Sequence, residues 1–142
     1  MRIRPARAGE EERLREVACA AKAHWGYEAG RVGEWAADLE YAGKDVWVAD
    51  VGKPVGYATL IVDGELAELD ELWVEPDWIG QGVGSELFRF VASRAASLGA
   101  ARLEWEADPN AVGFYERMGA RWLRDSAPSA WGRITPVMGI DL

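Results

Sequence analysis

Three glycines, Gly80, Gly82 and Gly84, fall within the stretch DWIGQGVGSELFRF, directly ahead of a segment with helical periodicity. Glycine weakens both helix and strand interiors, so a cluster here marks a turn where the backbone takes positive φ or comes close to something. A helix N-terminus offers unpaired N–H groups and the positive end of a dipole, so the expected neighbour is an anion such as a phosphate. The fold must therefore dock one helix with its N-terminus open behind a bare loop.

The segments before the loop show what carries that helix. DVWVADV and PVGYATLIVD are β-rich and flank GKP, a turn signal, and ELAELDELWVEP follows after Asp63-Gly64. They predict an antiparallel meander. Upstream, Met1–Arg4 reads as a short strand stopped by Pro5. From Gly9 the acidic GEEER suits a helix start, and Leu14, Val17, Ala18, Ala21 and Trp25 recur at helical spacing up to a C-capping Gly26. A second helix is expected through RVGEWAADLEYAG, ending near Gly43. Downstream, GVGSELFRFVASRAASLGA is a helix with Val83, Leu87, Val91 and Leu98 on one face, stopped by Gly99. Then come a strand at ARLEWEA, a short helix at PNAVGFYERMGA with Pro109 in its first turn, and closing strands at ARWLRDS and RITPVMGIDL, the second weakened by Pro136. The order β-α-α-β-β-β-α-β-α-β-β is a mixed α/β fold, and 142 residues fit one domain spanning 1–142.

Charge narrows the function. With 16 basic and 24 acidic residues the net charge is −8, against a nucleic-acid binder and against adhesion to an anionic membrane. Cys19 is the only cysteine, so no internal disulfide is expected. The opening MRIRPARAGEEER has no apolar signal-type run, and no apolar stretch is long enough to span a bilayer, so a cytoplasmic setting is expected.

Among phosphate-binding glycine loops, the P-loop needs Lys followed by Ser or Thr after its last glycine, whereas Ser85-Glu86 follow Gly84. The dinucleotide fingerprint needs a third glycine where Leu87 stands, and it opens a parallel unit rather than following a meander. LWVEPDWIGQGVGSEL instead resembles the acetyl-CoA-binding motif of the GCN5-related N-acetyltransferases (GNAT), Arg/Gln-x-x-Gly-x-Gly/Ala between the fourth strand and third helix, with Gly82 and Gly84 matching. DPNAVGFYERMGARW is similar to that family's second signature through Ala111, Tyr115 and Gly119. The element order matches over nearly the whole chain.

The resemblance implies an acyl-CoA N-acyltransferase fold: a mixed, mostly antiparallel sheet flanked by helices, with a V-shaped split between strands 4 and 5. It implies acetyl-CoA as co-substrate, without a metal. The pyrophosphate is expected on the N–H groups of Gln81, Gly82, Val83, Gly84 and Ser85. The pantetheine arm is expected to pair as an extra strand with Leu72, Trp73 and Val74. Asn110 is carried over as a further cofactor contact, because Asp108 holds the place where the family often has Asn. Ile79 stands where Arg or Gln is preferred, which implies one polar contact fewer.

Acetyl transfer to an amine requires loss of an ammonium proton, a donor for the oxyanion and a proton for the departing thiolate. A phenol, with its pKa of about 10, stays protonated until the thiolate leaves. Tyr115 is therefore the expected general acid, against its plainer reading as a packing partner of Phe114. The base is expected among carboxylates on the fourth strand (Glu68, Asp70, Glu71) and the fifth (Glu104, Glu106). Strand alternation separates Glu68 and Asp70 from Glu71, unless a bulge breaks the parity. Glu68 ranks first by its distance from Val74, matching histone-acetylating relatives. Glu71 and Glu106 follow. In so acidic a chain, most of these are expected to be solvated. KAHWGY and SAWGR border the acceptor pocket in relatives, which makes His24, Trp25, Tyr27, Trp131 and Arg133 candidate substrate contacts. The plainer reading puts His24 at a helix C-terminus and Trp25 in the core. The function implied is acetyl transfer to a primary amine of a small molecule or peptide, by direct attack in a ternary complex. A non-catalytic acyl-CoA sensor is the alternative, and a homodimer is compatible with either.

Overall fold

A computed structural model of the chain describes residues 1–129 and 132–142. Its strands are β1 (Arg2–Pro5), β2 (Asp45–Asp50), β3 (Pro54–Asp63), β4 (Leu66–Val74), β5 (Arg102–Glu106), β6 (Arg121–Asp125) and β7 (Pro136–Asp141). The helices are α1 (Glu11–His24), α2 (Ala29–Ala37), α3 (Val83–Ser97) and α4 (Val112–Arg117). The strands form a mixed seven-stranded sheet in the order β1-β2-β3-β4-β5-β7-β6. β4 and β5 are its parallel pair. Their ladder covers Leu66–Glu68 against Arg102–Glu104, and both strands run on beyond it.

The chain clusters into two compact units, Met1–Leu60 with Glu71–Val91, and Ile61–Asp70 with Ala92–Leu142. In the first, β1 and β2 pair antiparallel, as do β2 and β3. The predicted face of α1 is buried through Leu14, Val17, Ala18 and Ala21. Leu14, Val17 and Ala18 cluster with Tyr41, Val48 and Tyr57. In the second, β7 pairs antiparallel with β5 on one side and β6 on the other. Leu103, Trp105 and Met138 are buried there.

Several local expectations need correction. Pro5 ends β1 inside the ladder, opposite Trp47, because β1 is an edge strand and loses no required donor there. Pro136 begins β7, where its carbonyl accepts from Ala107 N–H at 2.8 Å. Trp25 is 42% exposed rather than core, since α1 ends at His24 and Gly26 turns away with φ +90°. Leu98 lies past the end of α3 and is exposed. α2 is displaced toward the N-terminus because Glu28 caps it, accepting from Gly30 and Arg31 N–H. Pro109 opens a 3-10 turn (Pro109–Ala111) ahead of α4 rather than α4 itself.

Buried Arg4 joins β1 to two carboxylates. Its Nε donates to Asp50 Oδ2 at 2.8 Å, and Nη1 and Nη2 donate to Glu10 at 2.9 and 2.8 Å. These bonds hold both carboxyls below their ordinary values of 4.5 for Glu10 and 3.8 for Asp50. A carboxyl depressed in the folded state stabilises above its unfolded value, and that stability is lost as pH falls through the folded value. Melting temperature should therefore fall as pH drops below about 4, and Arg4→Met should flatten the fall. Equal acid slopes in thermal melts of the two proteins would remove this cluster as the cause.

Candidate active site

The glycine loop sits on a braced support. Arg13 of α1 donates to Pro54 O at 3.0 Å through Nε and at 2.8 Å through Nη2, and Nη2 also meets Glu75 Oε2 at 2.8 Å. Those contacts tie α1 to the start of β3 and the end of β4. A 3-10 turn, Pro76–Trp78, follows. Gly80 and Gly82 then take φ of +81° and +86°, backbone that side chains with a Cβ rarely adopt. Gly82 O accepts the first helical bond, from Glu86 N–H at 3.0 Å. The N–H groups of the first α3 turn thus stand at a free helix end. A Cβ built on Gly80 or Gly82 meets nothing within 4 Å, so the space facing the loop is open, as close approach of a phosphate to bare backbone requires.

Gly56 of β3 seats this helix from below. A Cβ there would come within 3.1 Å of Trp73 O, 3.1 Å of Val83 Cγ1 and 3.2 Å of Leu87 Cδ1. A side chain there would make the first turn of α3 and the β4 backbone at Trp73 give way by a few tenths of an ångström, so the glycine suits this close approach. Gln81, Gly82, Val83, Gly84 and Ser85 form the run expected to receive the pyrophosphate, and Leu72, Trp73 and Val74 are half-buried at the end of β4.

β4 alternates as expected. Ala67, Leu69 and Glu71 are buried, while Glu68 and Asp70 are exposed. Glu71 is 8% exposed. Its Oε1 accepts from Tyr57 Oη at 2.8 Å, and its Oε2 from Thr59 Oγ1 at 3.4 Å. Tyr57 Oη lies 3.0 Å from Tyr41 Oη. With the Tyr57 proton committed to Glu71, Tyr41 is the donor in that pair. Burial pushes the Tyr41 phenol up to about 12, with the Glu71 charge adding to it. Burial raises Tyr57 as well, followed by the Glu71 charge. Two protonated phenols thus point in series at one carboxylate. Tyr41, Tyr57 and Thr59 are not among the site residues expected from sequence. The only signal available was three hydroxyl side chains in β-rich or helix-end segments.

In the other unit, Tyr115 of α4 is 7% exposed. Its ring lies 4.9 Å from that of Trp105 and 5.1 Å from Phe114, centroid to centroid. Burial raises its pKa, and the negative Asp108 raises it further. Asp108 caps the preceding turn, accepting at Oδ1 from Asn110 N–H at 2.8 Å and Asn110 Nδ2 at 2.9 Å, so the Asn110 amide is engaged locally. Glu68 stands in register with Glu104 across the parallel ladder. Glu104 is buried, with Arg124 Nη1 2.8 Å from its Oε1, near enough for an ion pair but off the line of a hydrogen bond. Glu106 is exposed.

Among the expected acceptor contacts, His24 closes α1 with its ring edge-on to exposed Trp25, centroids 4.9 Å apart, and Tyr27 is half-buried. Arg133 exchanges backbone contacts with Ser129: its carbonyl accepts from Ser129 N–H at 2.8 Å, and its N–H donates to Ser129 Oγ at 3.2 Å. Trp131 lies outside the described residues. Among the described residues no helix is long and apolar enough to cross a membrane, and no group of three or more His, Cys, Asp or Glu could hold a metal ion.

The chain has relatives of matching architecture. A peptidyl-lysine N-acetyltransferase, YjaB, of Salmonella typhimurium is 32% identical over 97 residues, 67% of this chain and 63% of the relative. The match thus spans under two thirds of that protein's length. The crystal structure of a GCN5-related N-acetyltransferase from Rhodopseudomonas palustris, also named aminotransferase, class-II, superposes with a TM-score of 0.84 at 25% identity, covering 99% of this chain and 95% of that one. The PaiA N-acetyltransferase of Thermoplasma acidophilum, solved with coenzyme A, superposes with a TM-score of 0.78 at 17% identity over 100% of both chains. The sequence model of the Acetyltransferase (GNAT) family matches residues 11–120. With that match over most of its length, the chain belongs to the GNAT acetyltransferase family.

Proposed function

We propose that the protein transfers acetyl from acetyl-CoA to a primary amine, by direct attack in a ternary complex. The observation that carries this reading is the open glycine turn at the N-terminus of α3 in a chain of this family. The loop from Gln81 to Ser85 holds the pyrophosphate, and the backbone of Leu72–Val74 holds the pantetheine arm. Tyr115 gives its proton to the departing thiolate, supported by a phenol that burial keeps protonated. Glu71 takes the proton from the acceptor ammonium. It is preferred to Glu68 and Glu106 because it is buried and oriented by Tyr57, whereas those two are exposed. The Salmonella relative's name as a peptidyl-lysine N-acetyltransferase supports a lysine-like amine as acceptor. The proton ledger closes: the ammonium loses one proton to Glu71, which passes it to solvent, the thiolate takes one from Tyr115, and the second nitrogen proton, lost as the amide forms, restores the Tyr115 phenol, so one proton is released per turnover.

The test is a thiol-release screen with acetyl-CoA across amino acids, polyamines, aminoglycosides and lysine peptides. Release with primary amines, and none with alcohols or carboxylates, is expected. Acetyl-CoA should also raise the melting temperature, by a stabilisation of about 2.7 kcal/mol at a hundred times its dissociation constant. Gly82→Val should abolish that shift, because Val disfavours φ +86° and its side chain fills the open space facing the loop. A folded Gly82→Val protein that keeps the full shift would place the pyrophosphate elsewhere.

A further inference from the structure

The side chain of Lys22, in the last turn of α1, ends among aromatic rings. Its Nζ lies 4.0 Å from the Trp35 ring centroid, 5.2 Å from Tyr27 and 5.9 Å from Trp73. All three fall within the range at which a ring face attracts a cation. Trp35 and Trp73 meet edge-to-face, centroids 5.3 Å apart at 73°, so they form a corner rather than a stack. The rings come from three places: the α1–α2 loop, α2 and the end of β4. The indole N–H of Trp73 is buried with no hydrogen-bond partner among the described residues, a donor that an oxygen of a bound molecule would satisfy. Trp35 and Trp73 also pack against the cluster that contains Tyr41 and Tyr57. Tyr57 in turn donates to Glu71. Glu71 and Trp73 are two positions apart on β4, a strand repeat of about 7 Å.

We propose that Tyr27, Trp35 and Trp73 form the recognition site for the ammonium of the acceptor, and that Lys22 fills it as an internal surrogate until the acceptor arrives. A site that holds one lysine side chain has the shape and electrostatics to hold another. The acceptor class is therefore a primary alkylammonium on a flexible stem, as in a peptidyl lysine. Ring faces retain the cationic form, so the site recognises the acceptor without activating it. Proton loss follows at Glu71, one strand repeat away. The fate of the bound amine rests on the acetyltransferase reading, but its capture does not.

The experiment measures binding without acetyl-CoA. The probes are Nα-acetyl-lysine amide and Nα-acetyl-norleucine amide, which lacks only the terminal ammonium. Titrations are followed by the indole N–H resonances of ¹⁵N-labelled protein. Lys22→Ala empties the cage and should bind the lysine probe about three- to thirtyfold tighter than wild type, with the norleucine probe unchanged. Adding Tyr27→Leu to Lys22→Ala should remove most of that gain. It removes a half-buried ring, so the fold should survive where loss of Trp35 threatens packing. A Lys22→Ala protein that binds the lysine probe no better than wild type, or binds both probes equally, overturns the proposal. Thiol release is then measured separately. Probe binding as expected without any release overturns acetyl transfer and leaves the cage standing. Release with amines in a protein whose probe binding ignores Lys22 and Tyr27 overturns the cage alone.

Discussion

Tyr115→Phe is expected to lower kcat by about ten- to a thousandfold while acetyl-CoA affinity changes little. The ring fills a buried place beside Trp105 and Phe114, and Phe keeps that packing. Only the hydroxyl is lost. Burial and the negative Asp108 both raise the phenol's pKa. A group so placed is protonated at neutral pH and has a proton to give when a thiolate forms. The same shift predicts that wild-type kcat shows no loss from Tyr115 ionisation below about pH 10, the ordinary value for a free phenol. The measurement is kcat from single-turnover thiol release, so that product release does not mask chemistry. An unchanged single-turnover rate in Tyr115→Phe would return Tyr115 to a packing role. A matching fall in acetyl-CoA affinity would make it a binding residue instead.

What could be read from the sequence follows from how far apart the deciding residues lie. The order of elements was legible because each depends on local pattern. The alternation of ELAELDELWV predicted that Glu68 and Asp70 share one face and Leu69 and Glu71 the other, and burial follows that parity. Which face is covered was not legible, because that is decided by what packs on the strand and not by its own alternation. Helix ends failed for a related reason. The apolar spacing of α1 runs on to Trp25, but the chain turns at Gly26 and leaves the indole exposed. The segment after α2 kept a helical pattern to the eye, yet it leaves the helix at Ala37. Arg15 of α1 captures the Leu39 carbonyl at 2.9 Å, and Tyr41 is buried with its hydroxyl on Tyr57. The glycine loop was legible because its whole logic lies in five consecutive residues. The Tyr41–Tyr57–Glu71 series and the rings around Lys22 draw single residues from separate elements, and no spacing rule joins them.

Glu71→Gln is expected to lower kcat at neutral pH by about a hundred- to ten-thousandfold, the range for losing a positioned base. The substitution keeps the shape and leaves Oε1 to accept from Tyr57, so the buried network retains its acceptor. What disappears is a group able to take a proton. Activity should recover partly as pH rises toward about 10, where a growing fraction of an alkylamine is already neutral. Glu68→Gln, on the exposed positions of the same strand, should stay near wild type. The opposite outcome, with Glu68→Gln impaired and Glu71→Gln active across pH, would move the base to the other face of β4. Tyr57→Phe separates orientation from chemistry. It takes one donor from the Glu71 carboxylate and leaves the base present. Its kcat should fall less than that of Glu71→Gln, and the acid limb of kcat/KM should move to higher pH because a donor to the charged form is gone. A purely structural Tyr57 would lower stability and leave that limb where it is. The two variants together thus distinguish a carboxylate that acts on the amine from one that only holds two tyrosines in the core.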